Sequence, residues 1–328
     1  MTPAFFWVWP EQMVEKEKNR RLHLNEMQLP LPPIIFEGLD LDLVRFYPPE
    51  EIGSQLRLQI ADYTGVDPSF VFIYSGIDGL IELMYKALWD RHFLIHDPAY
   101  YVYQQEALRQ GVVLSEAKLR FSKLPKDFGK QAQGKVAVVV NPNNPTGNIL
   151  MDTHLAEEVL SSSDMLVVDE AYYEFSGVTF ASLLGKWPNL VIFRTFSKAF
   201  GLAGARIAYM LAHPKTVGLF SQYCEVYRVP TLSLLLAKNA LENRSYVADY
   251  VQVVKAQMDY LLDSLKALHI RARGSAGNFI LVEKDFADFL VSKGFQVKLF
   301  EKWGRLTVPS PNVTDEVIAL AENYRRVT

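Results

Sequence analysis

The segment Arg194-Thr195-Phe196-Ser197-Lys198-Ala199-Phe200-Gly201-Leu202-Ala203-Gly204-Ala205-Arg206 carries the most structural information in this sequence. It follows the apolar run 191–193 (Val-Ile-Phe), which is typical of a buried strand. A hydroxyl pair and a lysine come directly after that run, and two spaced glycines lead on to an arginine. The pattern indicates a strand whose carboxyl end carries reactive and anion-binding groups.

Several other short apolar runs resemble the one before the lysine segment. They cover residues 70–73, 93–95, 136–140, 165–168 and 207–211. Continuous rather than alternating apolarity suits strands that are buried on both faces of a parallel sheet. Helical patterns lie between the runs, at 79–89, 100–110 and 155–161. The alternation predicts an α/β fold in which a mostly parallel sheet is sandwiched by helices.

The C-terminal part has a different pattern. A long helical stretch at 233–268 precedes a strand at 278–282, a helix at 286–293, strands at 296–300 and 305–308, and a helix at 314–325. This order predicts a smaller α+β domain. We therefore predict an N-terminal arm at 1–40 that contributes to the small domain, a large domain at 41–235 and the small domain at 236–328.

Composition narrows the class of protein. The chain has 328 residues, of which 49% are hydrophobic, and this is enough apolar material for a large core. The formal net charge of -3 gives no electrostatic reason to expect nucleic acid as a partner. Cys224 is the only cysteine, no apolar run has the length of a membrane helix, and the start does not resemble a signal peptide. We expect no membrane partner and a cytoplasmic location.

Polar groups follow four of the apolar runs. Tyr100 comes after the run at 93–95, Asn144 after 136–140, Asp169 and Tyr172 after 165–168, and Lys198 after 191–193. Ligands of open α/β sheets bind beyond the carboxyl ends of the strands. These side chains are therefore predicted to lie around one site.

The chemistry of this set fits pyridoxal phosphate (PLP), which carries an aldehyde, a phosphate and a pyridine ring. Lys198 can form a Schiff base with the aldehyde, while Thr195, Ser197 and Arg206 can hold the phosphate. Arg206 could instead make a surface ion pair. No metal site is predicted.

The ring of PLP has candidate partners at the other strand ends. Asp169 would pair with the pyridine nitrogen and keep it protonated, although a strand-end Asp is also a common helix cap. Asn144 and Tyr172 would bond the phenolate oxygen, although Asn144 also suits the turn and Tyr172 a helix start. Tyr100 would stack on the ring, with Tyr101 and Tyr103 as rival candidates.

A glycine-bearing segment, Ser75-Gly76-Ile77-Asp78-Gly79, opens the predicted helix 79–89. Free N–H groups and the helix dipole favour a phosphate at such an end, which makes Gly76, Ile77 and Asp78 candidates for cofactor binding. The alternative is an ordinary cap that uses Asp78.

With these residues identified, the sequence resembles the fold-type I, PLP-dependent aminotransferases of class I/II, and within them the histidinol-phosphate aminotransferase branch. The asparagine–proline and lysine segments are the most specific parts of the resemblance. The resemblance covers nearly the whole chain and rests on Leu24-Asn25-Glu26, Arg45-Phe46-Tyr47-Pro48, Gly76-Ile77-Asp78, Pro98-Ala99-Tyr100, residues 141–147, Asp169-Glu170-Ala171-Tyr172, residues 197–206, Gly277-Asn278-Phe279 and Arg305-Leu306-Thr307-Val308.

The resemblance implies further roles. It implies a homodimer with shared active sites, in which Tyr47 would reach the partner's cofactor phosphate, although Tyr47 could be an ordinary loop tyrosine. It assigns Arg305, Lys298 and Asn25 to the substrate, although Arg305 could be an exposed arginine. Lys298 stands where the branch has an arginine, and Pro230-Thr231-Leu232-Ser233 lacks the usual asparagine. Tyr223, Tyr227 and Arg228 are further candidates for substrate contact.

The activity expected from the resemblance is ping-pong transfer of an amino group. The donor would be histidinol phosphate or an amino acid, and the acceptor a 2-oxo acid such as 2-oxoglutarate. Lys198, Asp169 and Tyr172 would be the catalytic residues. A PLP-dependent decarboxylase of phosphothreonine type remains an alternative, as does a noncatalytic PLP-binding regulator. A dinucleotide-binding enzyme is disfavoured because no Gly-x-Gly-x-x-Gly follows the first strand.

Overall fold

The computed structural model of the chain describes residues 20–120 and 122–327. It contains two compact units. The large unit comprises Pro30–Val251 and Ser275–Gly277, and the small unit comprises the other described residues. Residues 1–19, which form about half of the predicted N-terminal arm, lie outside the described part.

The units begin and end at other residues than the predicted domains. Residues 30–40 belong to the large unit, where Asn239 donates its side-chain N–H groups to the carbonyl oxygens of Ile35 and Glu37. The helix that carries Asn239 packs on the helix Glu50–Thr64. These contacts explain why the large unit extends beyond residue 235 at one end and begins before residue 41 at the other.

The large unit is built on one seven-stranded sheet. The strand order is β1-β7-β6-β5-β4-β2-β3, with β7 antiparallel to both neighbours and the other neighbouring pairs parallel, so the expected mostly parallel sheet is confirmed. The strands are β1 (Val71–Tyr74), β2 (His92–Asp97), β3 (Val113–Lys118), β4 (Val136–Val140), β5 (Met165–Asp169), β6 (Leu190–Thr195) and β7 (Ala208–Ala212).

Helices surround this sheet and connect its strands. The one predicted from 79 begins at Gly76, so the glycine segment is part of its first turn. No described helix is long and apolar enough to cross a membrane. The helices that begin in this unit are α1 (Glu50–Thr64), α2 (Gly76–Ala87), α3 (Val102–Gln110), α4 (Phe128–Gln131), α5 (Thr153–Ser162), α6 (Tyr173–Ser176), α7 (Pro214–Ser221), α8 (Thr231–Glu242) and α9 (Ser245–Ala267).

The strand register aligns three chain segments at one edge of the sheet. Ala208, the first residue of β7, pairs with Tyr74 at the end of β1 and with Thr195 at the end of β6. Because β7 runs in the opposite direction, its beginning lies beside the ends of its neighbours. The residues just after β1 and β6, and those just before β7, therefore emerge together.

The small unit has its own antiparallel sheet, in the order β10-β11-β9-β8. Lys298 of β10 pairs with Arg305 of β11, so the two cationic residues are direct cross-strand neighbours. The elements are β8 (Ala272–Arg273), β9 (Phe279–Glu283), α10 (Lys284–Ser292), β10 (Lys298–Leu299), β11 (Trp303–Thr307) and α11 (Pro311–Val327).

A buried ion pair in the large unit joins Glu170, directly after β5, to Arg194 of β6. The Arg194 side chain donates to Glu170 Oε2 through Nε at 3.0 Å, and both side chains are almost completely buried. The guanidinium carbon also lies 3.7 Å from the centroid of the Tyr173 ring. Since a buried cation loses its hydration, the hydrogen-bonded Glu170 and the charge of the buried Glu174 offset the cost of burying Arg194.

We expect Glu170→Gln to destabilise the protein by about 3–5 kcal/mol, because it removes the hydrogen-bonded counter-charge of the buried Arg194 and leaves only the charge of Glu174 nearby. The matched control is Asp62→Asn, which breaks the exposed pair between Asp62 and Arg244 and should cost only about 0–1 kcal/mol. Urea unfolding followed by circular dichroism measures both. Equal midpoints for the two variants would contradict the structural role given to Glu170.

Candidate active site

Lys198 lies in a tight turn at the carboxyl end of β6. The turn is closed by the N–H of Gly201, which donates to the Lys198 carbonyl, and by the N–H of Leu202, which donates to the Phe196 carbonyl. Phe196 and Phe200 on either side of the lysine are fully buried. The aromatic anchors hold the turn against the core, while Lys198 stays half-buried, with its Nζ 5.9 Å from the centroid of the Tyr172 ring.

Asp169 is the last residue of β5 and is buried. Its Oδ1 accepts the N–H of Ala171 at 3.0 Å, and its Oδ2 accepts the hydroxyl of Tyr103 at 3.0 Å. Burial raises the pKa of Asp169 to about 6, against the opposing effect of these donors and of the Lys198 charge. A cationic N–H group nearby would stabilise this carboxylate.

Arg206 comes just before β7 and lies over the first turn of α2. Its Nη2 donates to Asp78 Oδ2 at 2.9 Å, and its backbone has a left-handed φ of 47°. Gly76 has a φ of 76°, and a Cβ there would lie 2.8 Å from Arg206 Nη2. The glycine therefore allows the guanidinium to sit against the backbone at the start of α2, where free N–H groups also favour an anion.

Thr195 and Ser197, the other predicted phosphate ligands, lie at the same edge of the sheet. Both are buried, and the N–H of Ser197 donates to Thr195 Oγ1 at 3.0 Å. Ile77, in the first turn of α2, is also buried. Through the pairing of Thr195 and Tyr74 with Ala208, these residues come to the same end of the sheet as Arg206.

Tyr100 is half-buried and donates its hydroxyl to Asp78 Oδ1 at 3.0 Å. Asp78 thus accepts hydrogen bonds from both the predicted ring-stacking residue and the predicted phosphate ligand. A carboxylate cannot donate to a phosphate, so any bond from Asp78 to the phosphate would come from its backbone N–H. Tyr101 is exposed, and Tyr103 is fully buried.

A histidine that was not among the sequence-based candidates holds the loop before Tyr100. The N–H of Val140 donates to His96 Nε2 at 3.0 Å, and His96 Nδ1 lies 3.1 Å from the Pro98 carbonyl. Asn143 also donates to that carbonyl, at 3.0 Å. One ring nitrogen accepts and the other donates, which requires the neutral imidazole. Burial lowers the pKa of His96 to about 4.

Asn144 lies in the loop after β4, and Tyr172 is buried directly before α6. Buried neighbours stiffen the asparagine loop, since Asn141 Oδ1 accepts the N–H of Leu150 at 2.6 Å and Asn143 donates to Thr146 Oγ1 at 2.8 Å. The backbone that carries Asn144 is therefore held by hydrogen bonds of its neighbours in the loop.

The remaining candidates in the large unit lie at its surface. Tyr47 is 73% exposed, and its ring stacks on that of Tyr227 with centroids 4.2 Å apart. Arg228 donates Nε to the Ile73 carbonyl at 2.9 Å, and its guanidinium lies over the ring of Phe72. Tyr223 is half-buried two residues after the end of α7. The stacked pair presents two tyrosine rings to the surroundings.

Within the small unit, Arg305 is largely buried and donates Nη2 to the His23 carbonyl at 2.6 Å. Lys298, its cross-strand neighbour, is exposed. Asn25 is fully buried with a left-handed φ of 56°, and its N–H donates to Thr307 Oγ1 at 3.0 Å. The backbone of Asn25 is thus part of the packing of this unit.

The arrangement in the large unit fits PLP. Asp169 is a buried carboxylate with a raised pKa, which suits the cationic N–H of a protonated pyridine. The α2 start, with its glycine and Arg206, suits a phosphate. Lys198 supplies an amine near Tyr172, between the other two features in the strand order.

Comparison with known proteins agrees with the fit of this site to PLP. Residues 36–321 match the family model described as "Aminotransferase class I and II". A histidinol-phosphate aminotransferase of Sulfurisphaera tokodaii is 31% identical over 299 residues, which are 85% of this chain and 82% of the relative. The chain belongs to the aminotransferase class I and II family. Like other members, it is a PLP-dependent aminotransferase.

Two solved structures show how far the fold is shared. Histidinol-phosphate aminotransferase from Sinorhizobium meliloti, solved with pyridoxal-5'-phosphate, has a TM-score of 0.82 and 21% identity, covering 100% of this chain and 98% of its own. L-threonine-O-3-phosphate decarboxylase from Porphyromonas gingivalis has a TM-score of 0.74 and 21% identity, covering 86% and 94%. At these identities, the similarity shows only that this chain shares the fold of the two proteins.

We expect Gly76→Ala to weaken PLP binding by the aminotransferase about ten- to a hundredfold, because the new Cβ pushes Arg206 off the start of α2. The control is Gly111→Ala, which places a side chain at a similar φ of 70° with no atom within 4 Å. Both variants should lose some stability through backbone strain. Spectral titration with PLP separates them: equal affinities for the two variants would remove the role given to Gly76.

The hydrogen bonds of the neutral, buried His96 make the stability of the aminotransferase depend on pH. The folded pKa of about 4 lies below the ordinary value of 6.5, so this stabilisation is complete above pH 6.5 and is lost as the pH falls towards 4. Between pH 6 and 5, the difference in unfolding free energy between wild type and His96→Gln should shrink by about 1 kcal/mol per pH unit. Urea titrations at each pH measure it. A constant difference would mean that His96 is not held neutral.

Proposed function

We propose that this aminotransferase moves an amino group from histidinol phosphate or an amino acid to a 2-oxo acid such as 2-oxoglutarate, in a ping-pong cycle at the site around Lys198. The observation that carries the proposal is the meeting of a lysine, a buried acid and an arginine-capped helix start at one edge of the sheet. The family supplies the reaction class. The relatives named histidinol-phosphate aminotransferases favour the donor.

The cofactor is assigned to residues of the large unit. Lys198 Nζ would bind the aldehyde carbon, and Asp169 would face the pyridine nitrogen. Asn144 and Tyr172 would donate to the phenolate oxygen, and Tyr100 would cover the ring. The phosphate would be held by Thr195, Ser197, Arg206 and the backbone of Gly76, Ile77 and Asp78, with Tyr47 of a second subunit completing the set.

Bound PLP supplies an electron sink for the carbanion that forms at the α-carbon of the donor. The protein's own work is then to orient the donor and to move one proton. Lys198 Nζ would accept the proton from the α-carbon of the donor and pass it to the C4′ carbon of the cofactor within the same half-reaction. Asp169 supports this step because its negative charge stabilises positive charge on the ring nitrogen.

Residues of the small unit are assigned to the substrate. Arg305 and Lys298 are cross-strand neighbours, and together they offer two positive charges to an anionic group. Such a pair suits a phosphate monoester or the second carboxylate of a 2-oxo acid. Asn25 is assigned to the same region, where its backbone is already fixed by Thr307.

We also propose that the enzyme is a cytoplasmic homodimer. The stacked pair of Tyr47 and Tyr227 is exposed, and so are the nearby apolar residues Leu41, Val44 and Phe46. A second copy of the chain would bury this apolar surface. Sedimentation velocity tests the assembly, and a monomer at micromolar concentration would contradict it.

Phosphothreonine decarboxylation, the alternative left open by the sequence resemblance, is the second candidate, and a decarboxylase of that substrate from P. gingivalis shares the fold. The two reactions differ in the bond that is broken at the α-carbon. An aminotransferase needs a 2-oxo acid for turnover, whereas a decarboxylase releases carbon dioxide without one. Assays with histidinol phosphate and with phosphothreonine, each with and without 2-oxoglutarate, decide between them.

We expect Lys198→Ala to bind PLP without a covalent link and to lose turnover by at least about 10²–10⁴-fold, because it removes both the anchor and the proton carrier. Lys186→Ala, at an exposed lysine paired with Glu157, is the control and should behave like wild type. Borohydride treatment followed by peptide mass spectrometry locates the modified lysine. Modification at another lysine, or normal turnover of Lys198→Ala, would overturn the assignment.

A further inference from the structure

Tyr103 is a fully buried residue to which the proposed roles assign no task. Its hydroxyl donates to Asp169 Oδ2 at 3.0 Å, across 66 positions of sequence. Tyr103 is the second residue of α3 and lies three positions after Tyr100, whose hydroxyl binds Asp78. Two tyrosines, one just before α3 and one in its first turn, thus donate hydrogen bonds to two different acids.

The phenol of Tyr103 can act only as a donor here. Burial and the neighbouring Asp169 charge raise its pKa well above 10, so the hydroxyl keeps its proton at all working pH values. A hydrogen bond to the ionised form of an acid favours that form. Tyr103 therefore opposes the effect of burial on Asp169.

The groups that act on Asp169 come from several elements. Burial and the charge of Asp78 raise the pKa of Asp169, while the N–H of Ala171, the hydroxyl of Tyr103 and the charge of Lys198 lower it. Among these, the Tyr103 hydroxyl is a side-chain donor at hydrogen-bond distance from Oδ2, and one such bond leaves lone pairs on the carboxylate. The carboxylate keeps acceptor capacity for another N–H group.

We propose that Tyr103 is a positioning residue that keeps Asp169 ionised and orients its carboxylate for the pyridine nitrogen of PLP. The inference rests on the proposed role of Asp169 and adds a side-chain donor that supports this role in a buried site. A loss of Tyr103 would leave the acid in place but favour its neutral form. The neutral acid would no longer stabilise a protonated pyridine.

Burial alone does not account for the bond between Tyr103 and Asp169. Tyr85, on the neighbouring helix α2, is also fully buried, and its hydroxyl has no hydrogen-bond partner among the described residues. The two tyrosines therefore form a matched pair. Removal of either hydroxyl changes the packing in a similar way, but only Tyr103 binds the acid.

The test begins with the cofactor-free protein. The pKa of Asp169 is followed by carbon-13 NMR of labelled aspartate carboxyls, with the signal assigned by its loss in Asp169→Asn. Tyr103→Phe should raise this pKa by about one to two units, because a hydrogen bond to a charged group is lost. Tyr85→Phe should leave it unchanged. An unchanged pKa in Tyr103→Phe, or an equal shift in both variants, would overturn the proposal.

A second variant guards against a folding defect. Replacement of Tyr103 by 3-fluorotyrosine keeps the hydroxyl and makes it a stronger donor, so the pKa of Asp169 should fall below its wild-type value. Thermal unfolding of each variant is followed in parallel. A shift in the same direction as in Tyr103→Phe would show that packing, not the hydrogen bond, controls the acid.

The last readout is the nitrogen-15 chemical shift of labelled PLP bound to each variant. Asp169→Asn should move it towards the value of an unprotonated pyridine, and Tyr103→Phe should move it part of the way near neutral pH. If Asp169→Asn leaves the shift unchanged, the proposed role of Asp169 fails, whatever the carbon-13 titration shows. If only Tyr103→Phe leaves it unchanged, the role of Tyr103 alone is overturned.

Discussion

The antiparallel strand β7, held between β1 and β6, is the constraint on which the candidate site depends. Parallel strands alone would bring only the segments after their carboxyl ends to this edge of the sheet. Because β7 runs the other way, Arg206, two residues before it, meets the start of α2 after β1 and the lysine turn after β6. The backbone therefore sets the distance between the Lys198 amine, which would bind the aldehyde of PLP, and the Arg206 guanidinium, which would bind its phosphate.

Asp169, at the end of β5, and Glu170, directly after it, lie in different electrostatic surroundings. Asp169 faces the candidate site with two hydrogen-bond donors, whereas Glu170 contacts the buried Arg194 on the other side. Each acid survives burial for a different reason. Glu170 has a cation, while Asp169 has neutral donors and the charge of Lys198, and burial leaves the pKa of both acids raised. An acid in that condition gains most from a cationic ligand.

Much of this fold could be predicted because buried strands have continuous apolar sequences. The run at 136–140 is a strand with those bounds, and that at 165–168 ends one residue later, at Asp169. The sequence did not predict β3 because Val113–Lys118 is the outermost strand of the sheet and mixes charged with apolar residues. The direction of β7 could not be predicted, since burial on both faces has the same pattern either way. The bonds of Tyr103 and His96 depend on sheet order, which a local pattern does not contain.

The alternation of Asp169 and Glu170 also bears on how such a chain can change in evolution. Asp169 ends β5 and Glu170 follows it directly, so an insertion of one residue within β5 would move Asp169 to the position of Glu170 and Val168 to that of Asp169. The shorter aspartate would then face Arg194, and an apolar valine would enter the ligand side. The ligand side would lose its carboxylate, and the aspartate would be too short to reach Arg194 as Glu170 does. Length variation among relatives should therefore fall in the loops that flank this strand and spare the strand itself.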